Sequence, residues 1–217
     1  MKHNLLISLS GIDGSGKSTQ IKLLQEYYSK HHHKFIYLWT RGGYTPYFNL
    51  LKSLIRKLSG KKLPNSGISS KREEYFSIQW VQKAWLRFAI LDLLWIYTFR
   101  IRIWMAQNKF VICDRYIWDT MIDFKIMFPT QDFEKWFLWK MLVLFSPKPK
   151  LEFLLTIPLK FSDERCKQKF EPFPDTPERR KRRYKLYQEA EKLSYWKVID
   201  STRPLEKVFE DILRSLK

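Results

Sequence analysis

A glycine-rich segment near the start of the chain constrains the fold more than any other feature of the sequence. Residues 11–18 read Gly-Ile-Asp-Gly-Ser-Gly-Lys-Ser, and they match the pattern Gly-x-x-x-x-Gly-Lys-Ser/Thr at every fixed position. An apolar run at 5–9 precedes the segment, and a stretch with helical periodicity at 18–29 follows it. A loop of this kind between a strand and a helix is typical of a phosphate-binding loop.

The residues of this loop indicate how a nucleoside triphosphate would bind. Glycine lets successive backbone N–H groups turn towards phosphate oxygens, and the helix that begins near Ser18 adds the positive end of its dipole. Lys17 can reach the β- and γ-phosphates, and the Ser18 hydroxyl can hold Mg²⁺. We therefore expect ATP and Mg²⁺ as cofactors. The predicted ATP-binding residues are Gly11, Asp13, Gly14, Ser15, Gly16, Lys17, Ser18, Thr19 and Arg165.

Short apolar runs alternate with helical stretches along the rest of the chain. The predicted strands lie at 4–10, 34–40, 110–114, 151–157 and 196–200. The predicted helices lie at 18–29, 48–59, 71–107, 131–145, 159–169, 178–194 and 204–216. This alternation predicts an α/β protein with the three-layer P-loop NTPase fold, in which helices flank a five-stranded parallel sheet.

Length and composition favour one packed domain. The chain has 217 residues, of which 45% are hydrophobic, and this proportion excludes a disordered chain. We predict a single domain over 1–217. Prolines at 172, 174 and 177 mark a loop between two predicted helices, and we assign a helical lid to residues 166–179.

The composition also excludes several classes of site. The two cysteines, Cys113 and Cys166, cannot by themselves supply a disulfide framework or a zinc site, and the four histidines, at 3 and 31–33, do not favour a Ser-His-Asp enzyme. The apolar run at 5–9 is too short for a signal peptide, and the apolar stretch at 86–106 contains four charged residues. We therefore predict no transmembrane segment and a cytoplasmic location.

Charged residues follow two of the predicted strands. Asp114 and Arg115 come at the end of the third strand, and Arg41 follows the second. Ligands of open parallel sheets bind at the carboxyl ends of the strands. An aspartate there can hold a metal ion, and an arginine can neutralise a transferring phosphate. The predicted catalytic residues are Lys17, Asp114 and Arg115, and the predicted metal ligands are Ser18 and Asp114.

These motifs together resemble the thymidylate kinase family over nearly the whole chain. The loop at 10–19, Thr-Arg-Gly-Gly at 40–43, Val-Ile-Cys-Asp-Arg-Tyr at 111–116 and Val-Ile-Asp at 198–200 carry the resemblance. The resemblance implies transfer of the γ-phosphate of ATP to a nucleoside monophosphate, nominally dTMP. It also implies that Arg41 and Arg115 bind the acceptor phosphate, and that Asp13 binds a sugar hydroxyl of the acceptor.

The departures from this family lie mainly in the acceptor pocket. Leu93 stands where the family reads thymine with an arginine, and Thr156 replaces the aspartate of the fourth strand. Asp119 and Asp123 replace residues of Ser-x-x-Ala-Tyr-Gln after Asp-Arg-Tyr. On a helix these two carboxylates would share one face. They would either bind hydroxyl groups of the acceptor or simply be acidic residues that stabilise the positive end of a helix. The predicted substrate-binding residues are Asp13, Arg41, Arg115, Asp119 and Asp123. With Leu93 at the base-reading position, we expect no strong preference for dTMP over other monophosphates.

Other functions remain open on the sequence alone. The formal net charge of +18 suits nucleic acid, an anionic membrane surface or a phosphate-bearing small molecule. The alternatives are a kinase of another nucleotide, a nucleoside, a sugar or a lipid-like alcohol, a nucleic-acid-binding P-loop NTPase, and an inactive nucleotide-binding module. The Asp-Arg pair and the basic lid favour a kinase of a small-molecule phosphate acceptor, without a dedicated nucleic-acid site. A homodimer is left open.

Two further patterns lead to expectations about packing and catalysis. Aromatic residues at 80, 85, 88, 95, 99 and 104 have mostly helical spacing, which predicts a core face. Basic residues crowd 179–183, just after the proline-rich loop. Because the variable positions of the phosphate-binding loop contain no arginine, we expect a lid residue to supply the transition-state cation.

Overall fold

The computed structural model describes residues 5–41, residue 45, residues 78–168 and residues 175–216. The predicted helix at 48–59 lies outside the described residues. So do Gly42 and Gly43, residues 71–77 of the predicted long helix, and residues 169–174 of the predicted lid.

The described strands form one parallel sheet of five strands, as predicted. They are β1 (Leu6–Ser10), β2 (Phe35–Trp39), β3 (Phe110–Asp114), β4 (Leu151–Thr156) and β5 (Trp196–Asp200). Their order in the sheet is β2-β3-β1-β4-β5. The register places Asp114 of β3 opposite Leu9 of β1 on one side and opposite Trp39 of β2 on the other. The carboxyl ends of β1, β2 and β3 therefore meet at one edge.

Helices cover both faces of this sheet. They are α1 (Lys17–Lys30), α2 (Gln79–Leu94), α3 (Ile101–Ala106), α4 (Ile117–Met127), α5 (Phe137–Phe145), α6 (Leu159–Gln168), α7 (Pro177–Glu191) and α8 (Leu205–Leu216). A π-helical segment, Trp95–Arg100, joins α2 to α3, so the predicted long helix is continuous through its described part.

The two largest hydrophobic clusters of the described residues lie on opposite faces of the sheet. Leu6 of β1 packs with residues of α2 and α4 in one core, and Ile7 packs with residues of α1 and α8 in the other. Successive side chains of a strand point to opposite faces, and both are apolar here because both faces are covered. The three-layer α/β arrangement predicted from the sequence is therefore confirmed.

The predicted helix at 131–145 begins later than expected. A 3₁₀ turn occupies Phe133–Lys135, and the extended backbone of Trp136 separates this turn from α5. The N–H of Trp136 donates to the Phe133 carbonyl, and the Phe133 ring is buried against Trp139. Burial of this ring therefore fixes a tight turn where the local periodicity predicted helix.

The prediction that the aromatic residues of the long helix face the core is wrong for most of them. Trp80 is 71% exposed, and Phe88, Trp95 and Phe99 are about half exposed. Trp85 and Trp104 do pack against the core. The helix is apolar on two sides, and the smaller aliphatic residues Leu86, Ala89, Ile90 and Leu93 occupy the side that faces the sheet. Periodicity alone does not distinguish between two apolar faces.

Candidate active site

The glycine-rich loop is held open at the carboxyl end of β1 by backbone angles that favour glycine. Gly11 has φ 142° and Gly14 has φ 79°. A Cβ on Gly11 would collide with the Leu155 carbonyl of β4, and one on Gly14 would lie 3.1 Å from the Ser162 carbonyl of α6. Both positions therefore require glycine for conformation and for space.

The loop is attached to the first turns of α6. The Ser162 hydroxyl donates to the Asp13 carbonyl at 2.6 Å. The Arg165 guanidinium donates to the carbonyl of Gly14 and to that of Ser201, each at 3.2 Å. These bonds fix the position of the loop against the helix that leads towards the predicted lid.

Lys17 lies inside the loop that it belongs to. Its ammonium donates to the carbonyls of Gly11 at 2.9 Å and Ile12 at 2.8 Å. Burial, with the nearby positive charge of Arg115, lowers the pKa of Lys17 to about 8, although Asp13 and other carboxylates act to raise it. The ammonium is thus held next to the loop amides, where it can neutralise a phosphate.

A cavity of about 390 Å³ opens on the other side of the loop. Its lining includes the predicted ATP-binding residues Gly14, Ser15, Gly16, Thr19 and Arg165. Arg203 and Leu205, which follow β5, also line it. The cavity continues directly from the glycine-rich loop, so it is placed to receive the nucleoside part of a triphosphate bound there.

The acceptor side of the site begins at the end of β3. The carboxylate of Asp114 is buried and accepts a hydrogen bond from the Tyr37 hydroxyl at 3.0 Å. Arg115 has a left-handed backbone, with φ 76°, and its guanidinium forms an ion pair with Asp13 of the loop. Burial alone would raise the pKa of Asp13, but Arg115 and other nearby cations hold it below its ordinary value.

Asp119 is bound from several directions in the first turn of α4. One carboxylate oxygen accepts from the Ser10 hydroxyl at 2.6 Å and from the Tyr116 N–H at 3.0 Å. The other accepts from the Tyr187 hydroxyl of α7 and lies 3.8 Å from Arg115. The carboxylate thus fixes both a helix start and the two side chains that face the site.

Asp123 lies one turn further along α4 and contacts two arginines. Arg41 approaches it from the end of β2, with an Nε–Oδ2 distance of 3.1 Å. Arg183 of α7 forms a second ion pair with it, and Arg183 also contacts Asp175 at 2.7 Å. Burial would raise the pKa of Asp123, but the two arginines and Arg115 lower it below its ordinary value.

The structure therefore brings the predicted acceptor-side residues together at one sheet edge with Lys17, while Leu93 lies elsewhere. Leu93 is fully buried in the core between α2 and the sheet. It is therefore not placed to contact a base. Its neighbour Asp92 accepts a hydrogen bond from the Thr45 hydroxyl, and burial raises the pKa of Asp92.

Two site residues, Arg183 and Tyr187, are not among those predicted from the sequence. Arg183 belongs to the basic run at 179–183. The available signal was their helical spacing, because Arg183, Tyr187 and Ala190 form the buried side of α7. In the same run Arg179, Lys181 and Arg182 are exposed.

Comparison with known proteins agrees with this geometry. A family model described as thymidylate kinase matches residues 9–212. The chain belongs to the thymidylate kinase family. A probable thymidylate kinase of Pyrococcus abyssi (strain GE5 / Orsay) is 28% identical over 221 residues, which cover 97% of this chain and 95% of that protein. Membership of the thymidylate kinase family confirms the resemblance and makes the chain a nucleotide kinase of an ATP-dependent family. The comparisons do not favour the other functions left open by the sequence.

Two searches of the described residues add to this assignment. In the described ranges no helix combines the length and apolarity that crossing a bilayer needs. The same part of the chain holds no cluster of three or more His, Cys, Asp or Glu side chains suited to a metal ion. A thymidylate kinase does not need such a cage for Mg²⁺, because this ion is usually held by one or two protein oxygens together with phosphates and waters.

Proposed function

We propose that this chain transfers the γ-phosphate of ATP to dTMP and releases ADP and dTDP. The observation that carries the proposal is the position of the buried Lys17 ammonium in the glycine-rich loop, beside the Arg115–Asp13 ion pair. A donor phosphate bound in the loop would face an acceptor phosphate bound by arginine across this edge. Such an arrangement catalyses transfer mainly by positioning and by neutralising charge.

On the donor side, the loop amides and Lys17 would bind the phosphates, and the cavity beside Arg165 would take the adenosine. The Ser18 hydroxyl lies at the start of α1, and Asp114 ends the neighbouring strand β3. Both groups are oxygen donors, which fit Mg²⁺, so we assign these two residues to hold it. When bound, Mg²⁺ supplies neutralisation of the β- and γ-phosphate oxygens.

On the acceptor side, Arg41 and Arg115 would bind the dTMP phosphate, and Asp13 would accept a hydrogen bond from the sugar. Asp119 keeps Arg115 and Tyr187 in place for this contact. We assign the transition-state cation to Arg183, which lies on α7 just beyond the proposed lid at 166–179. It is 2% exposed and forms ion pairs inside the site, whereas its neighbours on α7 include exposed basic residues.

We further propose that the kinase forms a homodimer through α2 and α3. Five large apolar residues on this side are each 44–51% exposed, namely Phe88, Leu91, Trp95, Phe99 and Ile103. A contiguous exposed apolar stripe of this length is unusual in a monomer, and a second copy of the same helix would cover it by twofold symmetry. Light scattering of the Phe99→Glu variant is expected to give a monomer where the parent gives a dimer.

We also propose a single kinase domain over 1–217, with its lid near 166–179, and a cytoplasmic location. The free thiols of Cys113 and Cys166 are both buried and suit a reducing compartment. Fractionation of cells that express the tagged protein tests the location. Limited proteolysis tests the domain, because one cooperative unit should resist cleavage outside the lid.

The experiment that tests the proposed reaction is a measurement of ADP release. Purified protein with ATP and Mg²⁺ should release ADP when dTMP is added and form dTDP in equal amount. Parallel reactions contain nucleosides, sugars or a polyprenol-type alcohol in place of dTMP. ADP formation that needs one of these compounds, with no turnover of dTMP, would refute the proposed acceptor.

A further inference from the structure

A single carboxylate, that of Asp123, holds two arginines that come from different parts of the chain. Its Oδ2 atom lies 3.1 Å from Nε of Arg41, and its Oδ1 atom lies 3.5 Å from Nη2 of the same side chain. Oδ1 also accepts a hydrogen bond from Nη1 of Arg183. Each oxygen of the carboxylate is therefore bound by a guanidinium group.

These contacts are buried and join three elements. The side chains of Asp123 and Arg183 are each 2% exposed, and that of Arg41 is 20% exposed. Asp123 belongs to α4, Arg41 follows β2, and Arg183 lies on α7. Because removing charges from water is costly, a buried ion pair persists only where its geometry is good.

The Asp123 carboxylate reduces the repulsion between the guanidinium groups of Arg41 and Arg183. Two guanidinium groups in a small volume repel each other unless an anion lies between them. Planar guanidinium groups also bind a carboxylate and a phosphate with the same donor geometry. With Asp123 between them, Arg41 and Arg183 already have the spacing with which a pair of arginines binds an anion.

We infer that Asp123 is a positioning residue that holds Arg41 and Arg183 as a pair ready for the acceptor phosphate. The inference rests on the proposed function, because that function places a phosphate on Arg41. The resembled family has a tyrosine at this position, so the carboxylate is a feature of this chain. Asp123 acts through the two arginines and need not contact the substrate.

The test compares two Asp→Asn substitutions around Arg183. Asp123→Asn removes the anion between the arginines, whereas Asp175→Asn removes another partner of Arg183 and leaves the Arg41–Asp123 contact in place. With dTMP varied at saturating ATP, Asp123→Asn should lower kcat by about tenfold or more, because misplacing a catalytic group is costly. The KM for dTMP should rise as well, because Arg41, which is assigned to the acceptor phosphate, is no longer held in position. Asp175→Asn should lower kcat by less than about threefold.

Equal losses of kcat in the two variants would overturn the inference, because Asp123 would then only neutralise Arg183. Unchanged kcat together with an unchanged KM for dTMP in Asp123→Asn would overturn it as well. If Asp123→Asn does not fold, as judged by circular dichroism, Asp123→Glu keeps the charge and moves it by one methylene. Wild-type kcat in that variant would show that charge without position is sufficient, which contradicts the inference.

A binding measurement separates this inference from the proposed reaction. If the wild-type protein does not turn over dTMP, the proposed function fails, but the arginine pair can still be tested with inorganic phosphate. Calorimetric titration of the ADP-saturated protein should show phosphate binding at least about fivefold weaker in Asp123→Asn than in Asp175→Asn, which loses the same charge. The additional Arg41→Ala substitution should weaken binding much less in Asp123→Asn than in the wild type. Equal phosphate affinity in the two Asp→Asn variants would overturn the inference.

Discussion

Arg115 forms an ion pair with Asp13 across the boundary between β3 and the glycine-rich loop. The two side chains are 9% and 24% exposed, so solvent screens their interaction only in part. Although burial opposes both charges, the pKa of Asp13 lies below its ordinary value and that of Arg115 above it. The donor and acceptor halves of the site are therefore linked by charge as well as by the sheet.

Substitution of the acceptor-side arginines should affect dTMP more than ATP. In Arg115→Ala and Arg41→Ala, the KM for dTMP should rise or kcat should fall by about tenfold, because charged hydrogen bonds to phosphate are lost. The KM for ATP should change by less than about threefold. Steady-state kinetics with each substrate varied in turn measures this. Loss of ATP binding with unchanged dTMP kinetics would mean that the two sides are assigned the wrong way round.

Lys17→Ala should remove phosphoryl transfer and leave the fold intact. The loss should be about a hundredfold or more in kcat, because the ammonium neutralises charge that develops during transfer. Lys22→Ala, a change on the exposed side of the same helix α1, is the matched control and should retain full activity. Near-wild-type transfer by the purified Lys17→Ala protein would refute the assigned role.

The activity should also depend on pH through Lys17. Burial lowers the pKa of Lys17 to about 8, so the free enzyme loses this positive charge as the pH rises past that value. Because kcat/KM reports ionisations of the free enzyme, kcat/KM for ATP should decline above about pH 8. In Lys17→Arg the guanidinium stays protonated, and this decline should disappear from whatever activity remains. The same decline in both proteins would assign the ionisation to another group.

Leu93→Ala should destabilise the protein without changing base recognition. Leu93 is fully buried in the core, so its truncation should lower the free energy of unfolding by about 2–5 kcal/mol. Leu144 is 74% exposed, and Leu144→Ala should change the free energy of unfolding by less than about 0.5 kcal/mol. Urea denaturation measures both. A stable Leu93→Ala variant with altered discrimination between dTMP and dCMP would place Leu93 in the acceptor pocket after all.

Selectivity for thymine should be weak. The base-reading arginine of the family has no counterpart here, because Leu93 at that position lies in the core, and a site without a hydrogen bond to the base edge discriminates between similar ligands by only about 1–3 kcal/mol. We expect kcat/KM for dTMP to exceed that for dUMP, dCMP or dGMP by less than about a hundredfold. A larger preference would show that another residue, outside the core position of Leu93, reads the base.

The parts of the fold that depend on local signals could be predicted from the sequence. Strands β3 and β5 have the predicted bounds, because each ends its short apolar run at an aspartate, Asp114 in β3 and Asp200 in β5. The phosphate-binding loop was equally clear, because its backbone requires glycine at particular positions. Each of these features is encoded within about ten residues.

The contacts of α7 could not be predicted in the same way. Arg183 and Asp123 are 60 positions apart, and the helical spacing of Arg183, Tyr187 and Ala190 marks one side of α7 without showing what that side contacts. Only the packing of α7 against α4 decides this. The predicted orientation of the long helix was wrong for a related reason. The helix has two apolar sides, and the side with the larger aromatic residues is the exposed one.

The helices on either side of residues 169–174 are tied to opposite halves of the site. Ser162 and Arg165 of α6 bind the backbone of the glycine-rich loop, whereas Arg183 and Tyr187 of α7 bind carboxylates of α4. A survey of substitutions along this stretch should therefore show a reversal of phenotype. Changes before residue 169 would impair the handling of ATP, and changes after residue 174 would impair the handling of the acceptor. Substitutions in two helices that follow one another in the sequence would thus affect different substrates, ATP for α6 and the acceptor for α7.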